Sequence, residues 1–171
     1  MCGICGVASL AGPLSPDLRD AVPSMTEAIR HRGPDEDGFW AGDRAALGHR
    51  RLSIIDRSGG RQPVTNEDGN VLVIFNGEIY NHHDLRRDLE ARGHRFRTRC
   101  DTEAIVHAWE EWGPACTERL HGMFAFAVHD VRSGELFLAR DRLGKKPFFW
   151  AQLGGALHFG SEIKPLRPSP A

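Results

Sequence analysis

At 171 residues with a 40% hydrophobic fraction, the chain suits one compact domain with a core of its own. Its 22 lysines and arginines balance 23 aspartates and glutamates, for a net charge of -1. No overall field therefore favours nucleic acid, an anionic membrane surface or an acidic substrate. No basic segment leads into an apolar one at the start, and no apolar run approaches the ~20 residues of a membrane helix, so a soluble, cytoplasmic protein is expected. Four cysteines are too few for a disulfide scaffold, and in a reducing compartment they stay thiols unless they serve catalysis or bind metal.

In chain order, Ile4 to Leu10 reads as a short buried strand that Gly12-Pro13 ends. Ser15-Pro16 starts a helix running toward Ile29, with Pro23 as a kink or break. Arg30 to Gly38 is a loop, and short strands follow at Gly38 to Trp40, Ala45 to Gly48 and Leu52 to Asp56. After a turn-rich connection, Val71 to Phe75 is apolar and β-branched enough for a fully buried strand. Asn81 to Arg92 carries Leu85 and Leu89 one helical turn apart, and Gly93 stops it. Asp101 or Thr102 caps the next helix, where Ile105, Ala108, Trp109 and Trp112 make a stripe suited to core packing. From Met123 the pattern returns to strands joined by turns such as Arg132-Ser133-Gly134 and Gly154-Gly155. Strands at both ends and helices between them predict two antiparallel sheets covered by helices, not a doubly wound parallel sheet.

The start of the chain, Met1-Cys2-Gly3-Ile4-Cys5-Gly6, contains a CxxC that raises redox or zinc chemistry. Its context opposes both uses. The pair leads into a strand, whereas a redox pair sits at a helix N-terminus whose dipole lowers the thiol pKa. Residues three apart on a strand face opposite sides, so Cys2 and Cys5 cannot chelate one ion together. Cys100 and Cys116 supply no second CxxC. Cys5, Cys100 and Cys116 read as small buried hydrophobes. Cys2 is different, because removal of Met1 leaves it with a thiol and a free α-amine. A thiol titrates near ~8.5 and an α-amine near ~7.7 to 8.0, so the amine can act as base for its own side chain. That is nucleophile-plus-base catalysis with the terminal amine in place of histidine. His31, His49 and His107 remain arithmetically possible partners for a cysteine, and their spacing selects none.

Nine segments in order carry a resemblance over essentially the whole chain. They are MCGICG, RHRGPD (Arg30 to Asp35), HRRLSIID (His49 to Asp56), Gln62-Pro63, FNGEIYN (Phe75 to Asn81), Asp101-Thr102-Glu103, HGMFAFAVHD (His121 to Asp130), RDRLGKKPFF (Arg140 to Phe149) and SEIKPL (Ser161 to Leu166). Together they resemble the class II glutamine amidotransferase domain of glutamine-hydrolysing asparagine synthetases. The resemblance implies an α+β fold, a four-layer αββα sandwich of two antiparallel sheets between helices, as in amino-terminal nucleophile hydrolases. It also implies glutamine hydrolysis to glutamate and ammonia. Cys2 would be the nucleophile and its α-amine the base. The Asn76 side-chain amide and the Gly77 backbone N–H would form the oxyanion hole, the glycine letting the backbone approach the reacting carbon. Arg51 would grip the substrate carboxylate, Asp101 and Glu78 would form the acidic side of the glutamine site, and Ile55 would line it through its backbone. Arg50 should face away from the site. One departure from the family pattern is Arg99-Cys100 before Asp101, where a small hydroxylated residue is usual, and altered packing is expected there.

Ser58-Gly59-Gly60 lacks the Asp-Ser pair that a pyrophosphatase loop needs, and no other glycine-rich loop opens a helix after a strand. No cofactor or metal is expected in this chain. ATP and Mg belong to the synthetase domain that the resemblance implies beyond it, in cis or in trans, where ammonia would be consumed. Residues 1–167 are expected to form the glutaminase domain and 168–171 a tail or linker start. The basic turn Gly144-Lys145-Lys146 reads as a solvated hairpin, with contact to a partner as the alternative. The rival functions are a glutamine-binding or docking module without turnover and a redox or zinc protein.

Overall fold

The computed structural model describes residues 2–53 and 59–167. In chain order it comprises β1 (Gly3–Ser9), α1 (Pro16–Glu27), β2 (Glu36–Ala41), β3 (Ala45–Arg51), β4 (Val64–Thr65), β5 (Val71–Ile79), α2 (His82–Ala91), α3 (Asp101–Trp112), α4 (Cys116–Arg119), β6 (Gly122–Asp130), β7 (Glu135–Arg140), β8 (Phe149–Leu153) and β9 (Ala156–Gly160). The strands form a five-stranded sheet in the order β2-β3-β1-β9-β8 and a four-stranded sheet in the order β4-β5-β6-β7. Neighbouring strands within each sheet are antiparallel.

Alternation along the strands builds four layers from three apolar clusters. Cys5 and Val7 of β1 and Ala46 of β3 face Val22 and Met25 of α1 and Ile29 just beyond it. Ile4, Leu47 and Phe159 of the same sheet meet Leu72, Ile74, Ala125 and Ala127 of the other. Val71, Val73 and Phe75 of β5, with Phe124, Phe126 and Val128 of β6, pack under Leu85 and Leu89 of α2 and Ile105 and Trp109 of α3. A sheet faced by apolar residues on both sides must be covered on both sides, and that requirement produces the αββα sandwich. No helix among the described residues is long and apolar enough to cross a membrane.

Several boundaries differ from the sequence expectations for local reasons. The Ser15 hydroxyl accepts a hydrogen bond from Leu18 N at 3.4 Å, capping α1, and the helix continues through Pro23 without breaking. Burial of Val22 and Met25 against β1 and β3 offsets the lost hydrogen bond. Leu52 and Ser53 lie outside any strand; β3 instead extends to Arg51, the last residue that β2 pairs with. The rest of the strand expected at Leu52 to Asp56 falls outside the described residues, as does the 168–171 tail. Cys100, not Asp101 or Thr102, takes the N-cap position of α3. No side chain among the described residues caps the helix there; Thr98 Oγ1 accepts from Cys100 N at 3.2 Å and lies 2.9 Å from the Cys100 sulfur.

Candidate active site

The gap between the sheets is apolar at its centre and polar at one mouth, and strand parity decides which residues stand there. Stepping by two from Ile4 leads to Cys2, from Leu47 through His49 to Arg51, and from Ile74 to Asn76. The β1–β3 register, Gly3 opposite Arg50, sets Cys2 beside the end of β3. The intervening residues of each strand go the other way. Arg50 pairs with Glu27 of α1 and lies 3.7 Å from Asp37, so it faces away from this mouth. Cys5 reaches Thr26 Oγ1 at 3.4 Å on the α1 side, and burial pushes its thiol pKa up to about 12. The two cysteines of the CxxC therefore occupy opposite faces of the sheet.

Asn76 and Gly77 lie within β5 opposite Ala125 and Phe124, so they do not form a hairpin turn. Across the next pair, Phe124 N donates to Asp141 Oδ2 at 3.2 Å and Phe124 O accepts from Asp141 N at 2.8 Å. Both Phe124 groups point away from β5, so Gly77 and Phe124 form a non-hydrogen-bonded pair and the Gly77 N–H faces the opposite edge. On that edge β4 has already ended, and side chains replace it. Gln62 Oε1 accepts from Phe75 N at 2.6 Å, His49 Nε2–H donates to the Phe75 carbonyl at 3.2 Å, and Asp101 Oδ2 accepts from Ile79 N at 2.9 Å. The Gly77 N–H sits between these filled positions. Beside it, Asn76 Nδ2 is buried and has no hydrogen-bond partner among the described residues. A buried orphan donor costs roughly 1–3 kcal/mol unless a ligand completes it. Gly77 is itself explained by its neighbour strand, a different reason from the one the sequence suggested. A Cβ there would collide with the Met123 carbonyl oxygen and stand 2.8 Å from Phe124 Cα.

Cys2 Sγ accepts from Leu52 N at 3.4 Å. Burial raises its thiol pKa, while the Leu52 hydrogen bond and the Arg51 charge oppose the rise. A thiol held above its ordinary pKa needs a base before it can attack. The segment carrying it is clamped: Arg32 Nε donates to the Cys2 carbonyl at 3.1 Å, and Arg32 Nη1 pairs with Glu162 at 3.1 Å. Ile4 N donates to Ser161 Oγ at 3.0 Å, and Ile4 O accepts from Ser161 N at 2.8 Å.

Cys2, Arg51, Asn76, Gly77, Glu78 and Asp101 all line one cavity of about 190 Å³. Drug-sized ligands occupy ~300–1,000 Å³, so this space suits something nearer a single amino acid. Arg51 is buried, and its Nη1 is 2.7 Å from Glu36 Oε2, which orients the guanidinium. Burial raises the Asp101 carboxyl above its ordinary pKa against the pull of the Ile79 hydrogen bond. Ile55 lies outside the described residues. Lys146 corrects one reading: it is buried and lines the same cavity, while Lys145 alone is exposed, because Asp141 folds the turn inward by accepting from both backbone amides.

Sequence reasoning gave no role to Gln62, Arg32 or Ser161, although all three stand in quoted segments, and it left His49 as one histidine among several. For His49 the available signal was a polar side chain at a strand position where the pattern calls for burial; Gln62, Arg32 and Ser161 lie outside the strands and carried no such signal. His49 has a testable consequence. Burial drops its pKa to about 3, with the nearby Arg51 adding to the drop and the Phe75 carbonyl opposing it, against ~6.5 unfolded. The folded state thus binds fewer protons, so His49 subtracts nothing above pH ~6.5 and an increasing amount as pH falls toward 3. Denaturant titrations should show stability falling by up to ~1.4 kcal/mol per pH unit in that window, with a shallower slope in His49→Gln. Parallel slopes for the two proteins would count against a neutral His49.

Three comparisons bear on this geometry. The family model described as glutamine amidotransferase domain matches residues 1–171. Asparagine synthetase [glutamine-hydrolyzing] 3 of Bacillus subtilis is 43% identical over 172 residues, covering 99% of this chain and 28% of that protein. Asparagine synthetase [glutamine-hydrolyzing] 2 of the same organism is 42% identical, covering 99% and 23% respectively. The chain thus spans about a quarter of the length of these relatives. Among solved structures, glutamine phosphoribosylpyrophosphate amidotransferase from B. subtilis superposes with a TM-score of 0.79 at 20% identity, over 96% of this chain and 43% of that one. At that identity the likeness is one of fold.

Proposed function

The chain belongs to the glutamine amidotransferase domain family, and from that premise we propose that Cys2, freed of Met1, hydrolyses glutamine to glutamate and ammonia. The α-amine takes the thiol proton, Sγ attacks the side-chain amide carbon, and the amide oxygen becomes an oxyanion. Asn76 Nδ2 and the Gly77 N–H stabilise that charge. Collapse expels ammonia, which carries away the proton held by the amine, and leaves a thioester. Water, deprotonated by the same amine, then releases glutamate and restores the thiol. Arg51 holds the α-carboxylate, and Asp101 with Glu78 holds the α-ammonium. The observation that carries this reading is the buried, unpartnered Asn76 amide on the wall of the cavity that holds the Cys2 thiol.

The ammonia serves asparagine synthesis on this reading, as the relatives' names suggest, in a synthetase domain in cis or in trans that holds ATP and Mg. The four free cysteines suit a reducing, cytoplasmic setting. The test is glutamine-dependent release of ammonia and glutamate by protein whose intact mass shows Cys2 as its first residue. Glutamine binding without release by such protein would favour a docking module instead. Turnover by protein retaining Met1 would remove the amine from the mechanism.

Arg51→Lys provides a narrower check. The charge stays but the planar fork is lost, and a charged hydrogen bond is worth ~1.5–3 kcal/mol. The KM for glutamine should rise ~10- to 100-fold with kcat changed far less. An unchanged KM would move the carboxylate to another cation.

A further inference from the structure

Toward the C-terminal half of α3, away from the end that lines the pocket, two histidines and two glutamates converge. His107 and Glu110 stand one turn apart on one face of α3, Glu67 lies between β4 and β5, and His94 follows α2. His107 Nδ1 is 3.1 Å from Glu110 Oε2 and 3.7 Å from Glu67 Oε2, and His94 Nδ1 is 3.7 Å from the same Glu110 oxygen. One ligand atom each from Glu67, His94 and His107 falls within 4.8 Å of the others. Zinc bonds of ~2.0–2.2 Å to nitrogen and oxygen put neighbouring tetrahedral ligand atoms ~3.3–3.6 Å apart, so the 3.1–3.7 Å spacings already suit an ion and the widest must close by about 1 Å.

The outer atoms of the same side chains are also held. Glu67 Oε1 accepts from Arg95 N at 2.8 Å, and Glu110 Oε1 accepts from Asn66 Nδ2 at 2.6 Å. His94 Nε2 faces Glu111 Oε2 at 3.4 Å. His107 is 1% exposed, and its Nε2 has no hydrogen-bond partner among the described residues, standing 3.8 Å from the buried Glu103 carboxylate. A histidine that bonds a metal through one nitrogen and presents the other to a carboxylate is the usual arrangement around protein metal ions. Here the imidazole has both faces set, while its outer hydrogen bond stays long. Coordination at Nδ1 would draw the ring toward the ion and settle its geometry.

We propose that Glu67, His94, His107 and Glu110 form a binding site for one divalent transition-metal ion of the zinc class. Two imidazoles and two carboxylates select Zn²⁺, Co²⁺ or Ni²⁺ over the oxygen-preferring Mg²⁺ and Ca²⁺. Binding displaces the proton that the surrounding carboxylates hold on His107, after which two neutral histidines and two carboxylates balance the ion's charge. The ion ties the β4–β5 connection and the segment after α2 to α3. Its role is structural, since His107 lies six residues, ~9 Å of helix rise, beyond Asp101. The site is independent of the glutaminase chemistry.

The experiment is calorimetric titration of chelator-stripped full chain with Zn²⁺, in a Cys2→Ala background so that the pocket thiol contributes nothing. One equivalent should bind, and Co²⁺ in its place should give the intense visible spectrum of a tetrahedral site with nitrogen and oxygen ligands. His94→Ala and Glu67→Gln should each weaken Zn²⁺ binding ~100-fold or more, with metal-free circular dichroism matching the parent. His107→Gln serves as a further variant only if it folds. No uptake by the parent, or equal uptake by parent, His94→Ala and Glu67→Gln, would leave the cluster as an ion-pair network and overturn the proposal.

Discussion

Cys2→Ala should abolish ammonia release from glutamine, lowering it by ~10⁴-fold or more, as loss of a covalent nucleophile does in other hydrolases. Cys5→Ala should keep most of the activity. The contrast follows from the β1 strand. Cys2 stands at the open mouth between the sheets, whereas Cys5 lies behind them against Thr26 and α1. Cys5→Ala removes a buried sulfur and a weak hydrogen bond, so its effect should appear in the melting temperature. Steady-state assays on both variants, with circular dichroism to establish folding, decide the matter. Equal losses would return the CxxC to consideration as a redox or metal unit.

For Asn76→Ala the expected loss is ~10² to 10³ in kcat, about 3–4 kcal/mol of transition-state stabilisation, with KM for glutamine nearly unchanged. In the proposed mechanism the amide meets its partner only when charge develops on the substrate oxygen, which is why the loss should fall on kcat. The variant should be no less stable than the parent, because Asn76 Nδ2 has no partner among the described residues to lose. A drop in both activity and stability would mean that the amide holds the strand together. A rise in KM alone would mean that it binds the ground state.

Much of the fold is readable in the chain. Val71 to Phe75 announces a buried strand, the Leu85/Leu89 pair announces a surface helix, and the runs after Met123, joined by short turns, announce antiparallel strands. Less legible is what happens where a strand outruns its partner. β4 has only Val64 and Thr65, too short for any periodic signal, yet its early end is what exposes the edge of β5. The side chains that replace it, Gln62, His49 and Asp101, come from three distant segments, and no local pattern joins them. Asp101 is the clearest case. Its place before a helix suggested a cap, and tertiary structure turned its carboxylate to a strand amide instead. Lys146 shows the same limit, because only the Asp141 hydrogen bonds reveal that one of two adjacent lysines is tucked inward. The cavity also gathers the residues that the resemblance named, Ile55 aside, but the resemblance gave no reason why the two sheets should deliver them to one mouth.

The hold of Ser161 on Ile4 and the bridge from Glu162 to Arg32 have an implication for biosynthesis. Residues 3–9 cannot be fully seated until the stretch around residue 160 has also been made, since β9 flanks β1 on the side opposite β3. The removal of Met1 that the proposed mechanism requires would fall in that interval. Once the domain closes, the same end is packed between Arg32 and Leu52. Under the proposed mechanism, trimming would come first and assembly of a competent pocket second, so ammonia could not be liberated before the domain is whole.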